Sequence, residues 1–125
     1  MAETAVIFVD DLLFQPRIRS VLEALGFEAR VADTPETAAG ACAGARIAVI
    51  DLHATALDAI AQVRAAKGAG AAVLAYGRHT EPKLLRAARD AGADIVVPRS
   101  ELVEELPQLV QRLCVDVLGG AQGAL

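Results

Sequence analysis

"RIAVIDLHATALD", residues 46–58, is the stretch on which the fold turns. Ile47, Ala48, Val49 and Ile50 run apolar without alternation, the pattern of a strand buried on both faces. Asp51 closes the run, and Thr55 can cap a helix continuing to about Ala66. A buried strand followed at once by a helix is part of a βαβ unit, so the flanking segments should repeat the pattern.

Upstream, Ala5–Val9 (AVIFV) is a second short apolar run, and it ends at Asp10-Asp11. Phe14, Ile18, Val21, Leu22 and Leu25 then fall on one helical face, with Pro16 in the first turn and Gly26 as the stop. Phe27–Val31 is a weaker strand. Thr34-Pro35-Glu36 has the form that opens a helix, here one of small residues running to about Ala43 and expected to be the softest element.

Downstream, Lys67–Gly70 forms a turn into the strand Ala71–Tyr76. Thr80 can cap a helix from Glu81-Pro82 that turns Leu84, Leu85 and Ala88 inward and stops at Gly92. Asp94–Val97 is the fifth strand and Pro98-Arg99-Ser100 a corner. Ser100–Glu105 reads as a short helical turn interrupted by Pro107, and Pro107 to about Leu118 as a last helix with Leu109, Val110, Leu113 and Val117 on one stripe. The expected architecture is α/β, (βα)5: a doubly wound, parallel five-stranded sheet in a three-layer sandwich over residues 1–118, with 119–125 as a flexible tail.

The composition agrees. Apolar residues make up 54% of 125 positions and aromatics 3%, so the core should be aliphatic and closely packed. A formal net charge of −4 with scattered basic residues argues against nucleic acid as the partner. Cys42 and Cys114 lie far apart with no CxxC and no His at ligand spacing, so neither a zinc site nor a disulfide framework is suggested and reduced thiols are expected. MAETAVIFVDD lacks a basic region and no run reaches membrane length, so the expected setting is cytoplasmic, without a membrane segment.

In a sheet of this kind the site lies at the carboxyl ends of the strands, where strand order reverses. That selects Asp10, Asp11, Asp51, His53, Gly77 to His79, and Pro98 to Ser100. A nucleotide binder would put glycines and free N–H groups after the first strand, whereas here two acids stand there. Acids from neighbouring strand ends repel one another unless they share a proton or a cation, so Asp10 or Asp11 with Asp51 form a candidate hard-cation site for Mg²⁺. A carboxylate beside Mg²⁺ can accept a phosphoryl group.

With "VDD" after the first strand, "VIDL" around Asp51, Asp58 and "ARDAGAD" before the fifth strand, the chain from Ala5 to Leu118 resembles the receiver domain of two-component response regulators, the CheY-like fold. The resemblance implies that Asp51 is the phosphoacceptor and that the His53 main-chain carbonyl is a metal ligand. It also implies a protein partner, a histidine kinase or a downstream signalling protein, contacted through the face from Arg78 to Asp94. An ungapped count back from Gly26 matches the metal-binding acid to Asp10, with Asp11 as an auxiliary or helix-capping acid; a one-residue deletion restores the pair Asp10-Asp11.

The departures fall on the chemistry. Gly77 stands in place of the family Ser/Thr, Arg99 in place of the Lys, Ser100 in place of the Pro, Ala54-Thr55 in place of Met-Pro, and Val96 in place of the switch aromatic. Arg99 is expected to turn inward and pair with Asp51, since an acid cluster needs a cation nearby. Tyr76, the only tyrosine, is assigned to packing, the His53 imidazole, Arg78 and His79 to loop surface, and Leu12, Leu13 and Phe14 to a cover or apolar contact surface. The implied function is a stand-alone atypical receiver, monomer or homodimer, and no enzyme beyond its own phosphorylation. The alternatives are an unphosphorylated pseudo-receiver and a small-anion binder using the same crevice.

Overall fold

The computed structural model describes residues 2–32, 34, 37, 40–54 and 58–117. Five strands form one parallel sheet: β1 (Glu3–Phe8), β2 (Phe27–Val31), β3 (Ala45–Asp51), β4 (Ala72–Gly77) and β5 (Ile95–Pro98), in the order β2-β1-β3-β4-β5. Four α-helices accompany them among the described residues: α1 (Gln15–Ala24), α2 (Ala59–Gly68), α3 (Pro82–Asp90) and α4 (Arg99–Arg112), the last running into a π-helical turn, Leu113–Val117.

The unalternating apolar runs are explained by helices on both faces. Ile7, Val49, Leu74 and Tyr76 point toward α1 and α4, where Ile18, Leu22, Leu102, Leu106 and Leu109 complete one half of the core. Phe8, Ile50, Val73 and Ala75 point the other way, toward Ala59, Val63 and Ala66 of α2 and Ala88 of α3. Small side chains let these two helices lie close to the sheet, as the alanine-rich composition requires.

Several expectations are corrected in detail. The cap of α2 is Asp58, whose carboxylate accepts from the Ala61 N–H at 3.1 Å; Thr55 lies outside the described residues. The cap of α3 is Glu81 instead of Thr80. Most of the helix expected over 35–43 lies outside the described residues, and 40–44 forms turns. Ser100–Glu105 and the Pro107 segment are one element kinked at Glu105 (φ −124°, ψ 23°). Pro107 has no N–H to offer the Val103 carbonyl one turn back, and Arg17 Nη2 reaches that oxygen at 3.4 Å.

At the amino end of the sheet, Asp94 lies before β5 and clasps β4. Its carboxylate accepts from the Val73 N–H at 2.8 Å and from Lys67 Nζ at 2.9 Å, and its own N–H donates to the Val73 carbonyl at 2.9 Å. The carboxyl end is left for a site. Strand order reverses there between β1 and β3, which sets the loop carrying Asp10 and Asp11 beside Asp51.

Candidate functional site

A crevice of about 210 Å³ opens at this reversal point, lined by Asp10, Asp11, Asp51, His53, Tyr76, Gly77, Arg78 and Arg99. Of the strand-end residues selected from the sequence, Asp10, Asp11, Asp51, His53, Gly77, Arg78 and Arg99 line it, whereas His79, Pro98 and Ser100 are not part of its lining. Tyr76 joins them, although its sequence context suggested packing.

Asp51 ends β3 half-buried, and one of its oxygens accepts from the His53 N–H at 2.8 Å. Burial raises its carboxyl above the ordinary aspartate value, the His53 N–H opposes that, and the charge of Asp10 adds to the rise while Arg99 lowers it. The acid therefore sits in a partly desolvated pocket, next to a second acid, with a cation at some distance.

Asp11 is engaged on both sides. Its Oδ1 accepts from the Leu13 and Phe14 N–H groups at 2.9 and 3.1 Å, holding the turn into α1. Its Oδ2 binds Arg99 Nη2 at 3.0 Å. The expectation that Arg99 pairs with Asp51 is thereby corrected: the guanidinium lies 5.1 Å over the Phe14 ring, a geometry that aims its fork at the first-strand loop. Phe14 in turn meets Tyr76 edge to face, with 5.6 Å between ring centroids and 86° between planes. Of the three residues expected to cover the site, Phe14 is buried in this stack, while Leu12 and Leu13 stand outward, 77% and 92% exposed.

His53 bridges two strand ends. Its Nε2 accepts from the Arg78 N–H at 3.0 Å, which assigns the ring proton to Nδ1, 3.4 Å from a Glu81 carboxylate oxygen. Gly77 makes room for this ring: a Cβ there would meet His53 Nε2 at 3.2 Å, Leu85 at 3.3 Å and Leu52 at 3.4 Å. Gly77 thus faces the α2/α3 side, whereas the side chain that shares the face of Asp51 is its register partner Tyr76. The signal for Tyr76 was available in the sequence as strand alternation counted back from Gly77.

Mg²⁺ asks for one or two carboxylates, oxygen ligands and retained waters. Asp10 and Asp51 with the His53 carbonyl are of that type, and the mutual repulsion that helps raise Asp51 is what a shared cation relieves. No group of three or more His, Cys, Asp or Glu side chains among the described residues is set to enclose a metal. With Asp11 held by the α1 turn and Arg99, the donor set fits a water-rich ion and not a closed cage.

The fold is that of response-regulator receiver domains. The BeF3-activated DrrB receiver domain superposes with a TM-score of 0.79 at 19% identity, over 92% of this chain and 99% of that one. NtrX from Brucella abortus gives 0.77 at 19% identity over 93% of this chain, which spans only 28% of NtrX. A response regulator from Burkholderia pseudomallei, with a phosphorylated aspartic acid, calcium ion and citrate, gives 0.73 at 17% identity, over 94% and 71% of the two chains. No family model and no curated protein matches the sequence. No helix among the described residues is long and apolar enough to cross a membrane.

Proposed function

We propose that this chain is an atypical receiver domain of cytoplasmic two-component signalling, in which Asp51 accepts a phosphoryl group and the output is contact with a protein partner. The observation that carries the reading is the position of Asp51: a half-buried carboxylate at the end of a central strand, facing Asp10 across the reversal point, with Arg99 at the rim. An Asp51 oxygen attacks the phosphorus of a phosphohistidine or acyl phosphate in line, the P–N or P–O bond breaks, and the leaving imidazole or carboxylate takes the electron pair.

Asp10, Asp51 and the His53 carbonyl would hold Mg²⁺, which when bound neutralises charge on the carboxylates and the transferred group. The chain's own residues do the rest. The His53 N–H fixes one Asp51 oxygen, leaving the other for attack, and the Arg99–Asp11 pair sets the positive edge of the crevice. The phosphorylated aspartate and calcium ion of the Burkholderia pseudomallei relative support both halves of the reading. Leu12 and Leu13, exposed beside the crevice, suit contact with a kinase or a downstream protein.

A second reading, an unphosphorylated interaction module, is favoured by one observation: Arg99 is paired to Asp11 and not to Asp51. Intact-mass measurement after incubation with acetyl phosphate, with and without Mg²⁺, separates the two. A metal-dependent adduct on the wild type and none on Asp51→Asn supports the acceptor; no adduct on the wild type supports the module.

A further inference from the structure

Tyr76 raises a question that the packing assignment leaves unanswered. It is 1% exposed, and its phenolic oxygen makes no hydrogen bond of ordinary geometry among the described residues, although the Asp51 carboxylate lies near enough to act on it. Buried tyrosine hydroxyls normally find one, so an orphan that lines a polar crevice points to something the crevice is built to receive. The ring cannot readily turn away, because Phe14 holds it edge to face and β4 and α4 enclose it.

Its neighbours identify the missing group. Tyr76 is the register partner of Asp51 on the adjacent strand, and alternation places both side chains on one face. A phenol is protonated at neutral pH, and in a buried setting its O–H donates most strongly to an anion. The residue that follows, Gly77, has no side chain, and the space beside it is taken by His53.

We propose that Tyr76 is the hydroxyl donor of this site, its phenolic O–H bonding a phosphoryl oxygen carried by Asp51. This rests on the reading of Asp51 as acceptor. The hydroxyl comes from the second-last residue of β4, on the α1/α4 face, and ties the phosphoryl state to the Tyr76–Phe14–Arg99 stack and so to the loop bearing Leu12 and Leu13.

The test uses acetyl phosphate and Mg²⁺ on wild type, Asp51→Asn and Tyr76→Phe. Phenylalanine keeps the ring and the packing. The expected result is an adduct on the wild type, none on Asp51→Asn, and formation slowed roughly tenfold or more in Tyr76→Phe with an undiminished melting temperature, the size expected for one charge-assisted hydrogen bond. Because the chain has a single tyrosine, 3-fluorotyrosine labelling supplies a second readout without substitution: the one ¹⁹F resonance should move when the adduct forms, and not in Asp51→Asn. An adduct that forms at the wild-type rate in Tyr76→Phe, or one that leaves the ¹⁹F resonance in place, overturns the role of Tyr76 while Asp51 remains the acceptor. No adduct on the wild type overturns both.

Discussion

Arg99 is tied to Asp11, 3.0 Å away and 88 positions earlier in the chain, and the guanidinium stacks on Phe14 between the first-strand loop and the end of β5. The pair lies at the surface, where an ion pair contributes about 0–1 kcal/mol. Arg99→Ala should therefore change the melting temperature little. Its effect should appear at Asp51, whose carboxyl Arg99 helps to lower and which should titrate higher in the variant; carboxyl ¹³C shifts followed over pH check this.

Asp51 itself should make the protein less stable as pH rises. An acid whose pKa is raised by folding binds more protons folded than unfolded between its ordinary value and the raised one, so stability is greatest below that window and is lost as pH passes through it. Asp51→Asn removes the loss and can still accept from the His53 N–H. At neutral pH the variant should melt higher than the wild type by roughly a few degrees, and the gain should vanish below the ordinary aspartate value. Equal differences at both pH values would show that burial of the charge is not the cause.

Mg²⁺ should distinguish the two acids of the first-strand loop. Millimolar Mg²⁺ is expected to raise the melting temperature of the wild type, since a ligand of the folded state stabilises by mass action. Asp10→Asn and Asp51→Asn should abolish the increase, while Asp11→Asn, which can keep the α1 turn contacts through its amide oxygen and loses the charge that pairs with Arg99, should retain most of it. Titration calorimetry with Mg²⁺ on the same four proteins gives the affinities directly.

Restoring a side chain at position 77 should be harmful because of His53. Gly77→Thr places a Cβ within 3.2 to 3.4 Å of His53, Leu85 and Leu52, and overpacking of this kind costs about 1–3 kcal/mol. Removing the ring in His53→Ala should recover part of the loss. Urea unfolding of the two single variants and the double variant measures the coupling, and additivity would show that the ring is not the obstacle.

The fold was legible in the sequence to a large extent. Continuous apolar runs such as Ile47–Ile50 require cover on both faces, helical stripes such as Ile18 and Leu22 provide it, and each of the five strands lies within two residues of its expected span. Caps were less legible: Thr and Asp both suit the position, and in α2 the described cap is Asp58.

Of the site, the sequence by itself determined the ends of the strands and the residues standing there, because hydrophobic periodicity encodes which segments are buried and where burial stops. Tertiary structure decided how those residues are used. Whether Arg99 meets Asp11 or Asp51, which acid holds the α1 turn, and which side chain shares a face with Asp51 depend on strand register and on packing between positions far apart in the chain, as the Arg99–Phe14–Tyr76 stack shows. A one-residue step at the end of β4 exchanges the two faces of the sheet, so Tyr76 faces the site of Asp51 and Gly77 faces His53.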